Sequence, residues 1–360
     1  MTHLLVTGGL GFIGSHIVEA ALGRGWRVSV VDSLRTDVHA SAEVPGWFTA
    51  LRGEVDLLVG DAGAIPESLL RAADLVCHQA AKVGLGVDFG DAPDYVDSNA
   101  GVTARLLAAM AAAGTTRLVL ASSMVVYGEG LYRDGDAVVQ PPARAVGDLR
   151  AGRYDPLDSA GRPLEPVLIR EDDPMEPRNV YAVSKLAQEQ LARSWARVTG
   201  GRAVALRYHN VFGPRMPRGT PYAGVASLFR SRLHEGLPPL VFEDGRQRRD
   251  FVEVGDVAEA NLRAADAVTD GRGGSFRAYN VGSGTVRTIG EFATDLAAAL
   301  GGPAPIVTGD FRLGDVRHIT ASSERIAAEL GWRAERPWSD AIRDFASAPM
   351  RPAAREPVSG

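Results

Sequence analysis

Residues 3–32 constrain this chain more than any other stretch. An apolar run, Leu4 to Val6, enters a loop carrying Gly8, Gly11 and Gly14, and a helical pattern follows through Ile17, Val18 and Leu22. Glycines in this arrangement permit a tight turn, close approach of backbone to a pyrophosphate, and close packing of helix on strand. The free N–H groups and dipole of the helix start then favour an anion. A glycine turn alone also serves ordinary strand–helix packing, so the second strand matters. It runs from Arg27 to Val31 and ends in Asp32, eighteen residues beyond Gly14. A carboxylate there accepts both adenosine ribose hydroxyls and repels a 2′-phosphate. The unit predicts dinucleotide binding, with Gly8, Gly11, Phe12, Ile13, Gly14 and Asp32 as contacts and NAD favoured over NADP. Arg35 is the nearby residue that would instead suit a 2′-phosphate.

The following strands extend the pattern. Asp56 to Val59 leads into Gly60-Asp61, which places Asp61 to receive the adenine amino group. Leu75 to Cys77 runs into His78-Gln-Ala-Ala81, where the small Ala80 and Ala81 let a cofactor lie against the backbone. Alternating strands and helices across residues 3–210 imply an α/β fold, a doubly wound parallel sheet with helices on both faces. From about residue 213 the order loosens into a helix (Gly224 to His234), short strands and loops. We therefore expect a dinucleotide-binding domain over 1–212 and a smaller lobe over 213–347, with segments returning to the first sheet. The tail from Ala348, rich in Pro, Ala and Arg, is expected to be disordered.

Only two of the 39 basic residues are lysines, Lys82 and Lys185, and Lys185 follows Tyr181 by four places. At that spacing on a helix both side chains project from one face. An ammonium beside a phenol stabilises the phenolate, drawing a tyrosine pKa from about 10 towards neutrality. A tyrosine so tuned is a general base for an alcohol; the plainer alternative is a surface pair.

Composition excludes several classes. A net charge of −5 gives no reason to expect nucleic acid or an anionic membrane as partner. No run has the apolar length of a membrane span. The single Cys77, in a buried strand, suits a reducing cytoplasm. The seven histidines show no paired ligand spacing, so no metal site is expected.

The segments Thr7-Gly-Gly-Leu-Gly-Phe-Ile-Gly14, His78-Gln-Ala-Ala81, Ala121-Ser-Ser-Met-Val-Val-Tyr-Gly128 and Tyr181-xxx-Lys185 occur in order along the chain. They are followed by Arg207-Tyr-His-Asn-Val-Phe-Gly-Pro214, Gln247-Arg-Arg-Asp-Phe-Val252 and Asn280-Val-Gly-Ser-Gly284. With these, the chain resembles the extended short-chain dehydrogenase/reductases that act as NAD-dependent nucleotide-sugar epimerases and dehydratases. The resemblance implies a Rossmann-type sheet with a smaller interleaved C-terminal substrate-binding lobe, a nucleotide-diphosphate sugar as substrate and a homodimer. It makes Ser123, Tyr181 and Lys185 the catalytic triad, with Tyr181 and Lys185 also touching the cofactor. Asn99 becomes support for backbone around the cofactor. Asn210, Arg249 and Arg312 fall where the family holds the pyrophosphate, with Arg248, Arg317 and His318 as weaker candidates. His209 either contacts the sugar or packs beneath its loop.

The positions after Ser123 decide between reactions. A dehydratase of this family carries an acid and a base there, whereas this chain has Met124 and Val125, which cannot move a proton. The cysteine of a 3,5-epimerase and the glutamate of a decarboxylase are also missing from this region. Transient oxidation at C4 and return of hydride to the other face remains, a 4-epimerase acting on a dTDP- or UDP-linked hexose. The long insert and the run from Phe311 to His318 look most like dTDP-6-deoxysugar 4-epimerases of the dTDP-L-rhamnose type. A net ketoreductase or dehydrogenase is the alternative in the same fold, and a non-catalytic cofactor sensor the alternative outside enzymology.

One stretch departs from the family pattern. Fifty-three residues separate Tyr127 from Tyr181, and Glu129 to Arg178 holds seven prolines with little periodicity. An ordered loop of this length between two catalytic elements would serve as a lid over the site; disorder is the other expectation.

Overall fold

The computed structural model describes residues 1–36, 38–39, 43–51, 53–84, 89–218, 224–270 and 273–351. Seven strands form the central sheet: β1 (His3–Thr7), β2 (Arg27–Asp32), β3 (Val55–Val59), β4 (Leu75–His78), β5 (Arg117–Ser123), β6 (Arg202–Tyr208) and β7 (Ser275–Val281). Their spatial order is 3-2-1-4-5-6-7, with every neighbouring pair parallel. Strands of such a sheet are covered on both faces, which explains why β1 is buried throughout and β2 after its first residue. The order reverses between β1 and β4, the place where open α/β sheets bind ligands beyond the strand ends.

Two apolar layers hold the sheet. One face packs on the helices Phe12–Gly23 and Val254–Asp270, through Ile17, Val18, Val257 and Leu262. The other packs on Val102–Ala113 and Val180–Thr199, through Leu106, Met110, Ala192 and Trp195. Thus β7 and the helix Val254–Asp270 belong to the first sheet although they lie late in the chain. The smaller lobe has its own core, in which Phe251 stacks on Phe292 at 4.2 Å between centroids, edged by Phe212 and Trp338.

The insert is ordered. Its strands Leu131–Asp134, Ala137–Val139 and Glu165–Val167 form a three-stranded antiparallel sheet, followed by a bridge between Ile169 and Ala321. Leu131 and Ile169 bury against Val126, Tyr127 and Ile319. Its ends meet: a Cβ on Gly128, at φ +68°, would lie 2.0 Å from the Glu176 carbonyl oxygen. A buried ionic cluster docks it to the smaller lobe. Arg317, about 0% exposed, donates to Asp155 (2.7 Å), Glu243 (2.9 Å) and Asp244 (2.7 and 2.9 Å). Arg144 of the insert donates to the same Glu243 at 2.8 Å. Glu243 holds a left-handed backbone, φ +54°, which is unfavourable for a non-glycine residue. This cluster, with no hydrophobic periodicity to announce it, is why the segment reads as unstructured in sequence.

Residues Ala348–Arg351, expected to begin a disordered tail, are held by hydrogen bonds. Arg351 forms a parallel bridge with Pro217, and Arg230 donates to the carbonyls of Ala346 (3.2 Å) and Ala348. The rest of that expected tail, 352–360, lies outside the described residues.

Candidate active site

At the cofactor end, Gly8 turns the chain at φ +69°, and a Cβ on Gly14 would sit 2.2 Å from the Gly8 carbonyl oxygen. The helix from Phe12 has no side-chain cap at Gly11 and no acid in its first turn. Its N–H groups at Phe12 and Ile13 are thus presented at a positive helix end suited to a pyrophosphate. Asp32 accepts from Leu10 N–H (3.0 Å) and Leu34 N–H (2.9 Å), fixing the carboxylate at the end of β2. Arg35 turns to Asp94, donating at 3.0 and 2.8 Å, and to Ser98 at 2.7 Å. The 2′-phosphate partner considered from sequence is therefore committed elsewhere. Asp61 is exposed and accepts from Gly63 N–H at 2.7 Å, capping its own turn. Ala80 lies against the glycine loop, its N–H donating to Thr7 Oγ1 at 3.3 Å.

Asn99 sits in a π-helical turn, Val96–Gly101. It accepts from Lys82 N–H (2.7 Å) and donates to the Lys82 carbonyl (2.9 Å) and to Ser184 Oγ (2.8 Å). It thereby ties the loop after β4 to the helix carrying Tyr181 and Lys185. Lys82 is buried, its ammonium 2.8 Å from Asp94 and 4.8 Å from the Tyr95 ring centroid. The Tyr95 ring in turn packs 5.9 Å from that of Tyr181.

Ser123 ends β5, and Tyr181 lies in the first turn of the helix Val180–Thr199, capped by Asn179, which accepts from Ala182 N–H at 2.9 Å. The Ser123 hydroxyl lies near enough to the Tyr181 phenol to favour its ionisation. Lys185 Nζ donates to the Ala121 carbonyl at 3.0 Å. Burial pushes Tyr181 up to about 12, against the Ser123 hydrogen bond, and burial brings Lys185 down to about 7, against the nearby Glu189 carboxylate. Burial thus works against the lysine-tuned phenolate expected from the spacing. Desolvation disfavours either charge alone, whereas in a phenolate–ammonium pair the mutual attraction offsets part of that cost.

The residues expected on the substrate side follow β6 and lie on the short strands beyond it. His209, 4% exposed, has no hydrogen-bond partner on either ring nitrogen, and Asn210 Oδ1 has none. Burial, and then the neighbouring Arg249, hold His209 down to about 3. Buried polar atoms are ordinarily satisfied, so these point to a ligand. Arg249 donates to the carbonyls of Arg248, Val316 and Arg317 at 2.8–2.9 Å. Arg312 is exposed, its guanidinium 5.1 Å from the Phe242 ring centroid. Arg317 and His318, the weaker phosphate candidates, are spent on docking the insert, His318 through Asp155 at 3.1 Å. Sequence reasoning missed Arg178, which precedes the helix cap, lines a small cavity with Arg144 and Arg312, and has a buried Nε without partner. Its only signal was adjacency to Asn179, too weak in an arginine-rich chain.

A dinucleotide cradle, a Ser–Tyr–Lys constellation at the sheet's ligand-binding edge and a second lobe closing beside it define a nicotinamide-dependent enzyme of the short-chain dehydrogenase/reductase class. The chain belongs to the NAD dependent epimerase/dehydratase family, whose model matches residues 4–146 and 157–282. It is 35% identical to a dTDP-L-rhamnose 4-epimerase of Burkholderia thailandensis, over 93% of this chain and 91% of the relative. It is 30% identical, over 81% of this chain and 78% of the relative, to a UDP-N-acetyl-alpha-D-glucosaminuronate decarboxylase of Bacillus cytotoxicus. A solved UDP-glucose-4-epimerase of Stenotrophomonas maltophila, with bound NAD and formylated UDP-arabinopyranose, superposes with TM-score 0.77 at 27% identity, covering 96% of this chain and 97% of that one.

Proposed function

We propose that this protein is an NAD-dependent nucleotide-sugar 4-epimerase acting on a dTDP-linked 6-deoxyhexose. One observation carries the reaction type: Ser123, Tyr181 and Lys185 come together while Met124 and Val125 fill the turn beside them. An alcohol can be oxidised there, but no side chain at those two positions can eliminate water or assist decarboxylation. The dTDP-linked deoxyhexose rests on the name of the 35% identical relative.

NAD supplies the hydride acceptor and, afterwards, the hydride donor. The chain's residues do the rest. The uncapped helix start and Asp32 hold and orient the dinucleotide. Tyr181 takes the C4 hydroxyl proton, with Ser123 bridging phenol and substrate, and the Lys185 ammonium offsets the phenolate. Asn210, Arg312 and the Arg249 N–H groups not given to backbone carbonyls hold the diphosphate while the 4-keto sugar turns, and His209, kept neutral, offers a donor and an acceptor to a hydroxyl. The insert, Glu129 to Arg178, walls the sugar end so that a ketone held through its diphosphate turns without escaping. Exposed Val96 and Val183 lie on the helices through which we expect two chains to pair, and sedimentation at micromolar concentration tests that dimer. No helix among the described residues is long and apolar enough to cross a membrane, and the buried thiol of Cys77 suits our assignment to the cytoplasm.

The test is incubation with a panel of dTDP- and UDP-sugars, with products read by NMR. A C4 epimer formed without accumulation of reduced cofactor supports the reading. A 4,6-dehydrated product, or stoichiometric reduced cofactor with released ketone, would overturn it.

A further inference from the structure

Asp32 is linked through His39 to Arg351, 312 residues beyond that histidine. His39, 4% exposed, places Nε2 at 3.4 Å from Asp32 Oδ1. Its Nδ1 accepts from Arg351 Nη2 at 2.8 Å. An arginine is always a donor, so this contact fixes the tautomer: Nδ1 is the bare nitrogen and Nε2–H faces the carboxylate. At 3.4 Å that second contact is longer than a good N–H···O bond. It therefore orients the imidazole toward Asp32 through a weak contact.

Arg351 is seated rather than trailing. Its N–H donates to the Met216 carbonyl at 3.4 Å, its carbonyl accepts from Arg218 N–H at 3.1 Å, and Arg230 pins the turn before it. The charges around it are mixed. Asp32 stabilises the guanidinium, whereas Arg215 opposes it, and burial brings its pKa down. Arg215 is itself fixed, in a left-handed backbone at φ +66°, paired with Glu19 at 2.6 Å and set over the Trp47 ring at 4.7 Å. Leu34, whose N–H donates to Asp32, is also left-handed at φ +51°. Two of the three non-glycine residues with positive φ among those described therefore flank this one corner. Unfavourable backbone is retained where surrounding structure over-determines it, and it concentrates at ligand clamps.

We propose that the C-terminal segment ending at Arg351 is a strap over the adenosine end of the NAD site: Arg351 seats His39 beside Asp32, and release of NAD requires this strap to lift. His39 and Arg351 are positioning residues acting through Asp32, far in sequence from the hydride chemistry. A strap of this kind suits an enzyme that returns its hydride in each cycle and has no need to exchange cofactor. The proposal rests on the NAD-binding role of Asp32 and not on which sugar is turned over.

The test measures NAD dissociation from the holoenzyme by rapid dilution into an excess of labelled NAD, with no sugar present. Loss of a hydrogen bond to a charged group corresponds to about 10- to 100-fold in affinity, so Arg351→Ala should release NAD faster by that factor. His39→Ala should give a similar increase, and the double variant should add little, because the two act in series. A chain ending at Arg351 should keep the slow release, and one ending at Ala348, which retains the last helix, should lose it. Wild-type release from both single variants, or independent additive effects, would overturn the strap. Fast release together with unchanged sugar specificity leaves the epimerase reading standing, so the two claims fail separately.

Discussion

Replacing Arg317 by Met should free the insert from the smaller lobe while leaving the central sheet intact. The side chain is about 0% exposed and donates to Asp155, Glu243 and Asp244, all between 2.7 and 2.9 Å. Removing one partner of a fully buried ion pair costs about 3–5 kcal/mol, and here the cost falls toward the lower end because Asp155 (38% exposed) and Asp244 (33% exposed) keep part of their hydration. Glu243 keeps Arg144, but Asp244 and Asp155 lose their guanidinium. If the cost falls on a local opening of the insert, the open fraction rises about 10²- to 10⁴-fold. Native-state hydrogen exchange reads this directly. Amides of Leu131–Val139 should lose protection by that factor, while those of β1 and β5 stay as in the wild type. Gly130→Ala, which would put a carbon 2.1 Å from the His318 carbonyl oxygen, should give the same pattern by a steric route. Unchanged exchange in the insert would refute the ionic docking. Equal loss throughout the sheet would show that the insert does not open as a unit.

Three further outcomes follow from the site. Tyr181→Phe should keep NAD bound and lose about 10²- to 10⁴-fold in turnover, the usual share of a positioned general base, and near-normal turnover would remove Tyr181 from the mechanism. Asp32→Ala should weaken NAD and relax exclusion of NADP, by titration of each cofactor, because Arg351 remains beside the vacated charge; a wild type that already prefers NADP would contradict the role of Asp32. His78 and His209 are each held down to about 3 by burial, so between about 3 and the unfolded value of about 6.5 the unfolded chain binds more protons. Stability should therefore fall as pH drops through that window, by up to about 1.4 kcal/mol per pH unit for each histidine. Acid denaturation of His209→Asn should show a shallower slope, and an unchanged slope would place that histidine in solvent.

The parts of the site legible in sequence were those written locally. The turn with Gly8 and Gly14, the helix start at Phe12, Asp32 at the end of β2, and the four-residue spacing of Tyr181 and Lys185 each depend on neighbours a few residues away. The parallel sheet followed from the alternation of short apolar runs with helical stretches. What stayed hidden depends on long-range pairing. Glu129 accepts from the backbone of Arg317, 188 residues on, and Arg351 meets His39 across 312 residues. No periodicity marks such contacts, and in a chain with 37 arginines no single arginine stands out. Burial around Tyr181 stayed hidden for a related reason: spacing sets which groups are close, but not how deeply both lie or that Lys185 donates to the Ala121 carbonyl.

The central claim, that one hydride leaves C4 and returns to its opposite face within a single enzyme, is tested most directly by isotope. A dTDP-deoxyhexose deuterated at C4 is turned over in ordinary water, and the epimeric product is examined by NMR and mass spectrometry. The account predicts full retention of deuterium at C4, no deuterium in solvent and no net reduced cofactor. Loss of the label to water would mean that the carbon exchanges a proton rather than a hydride, and the mechanism built on Ser123, Tyr181 and Lys185 would be wrong.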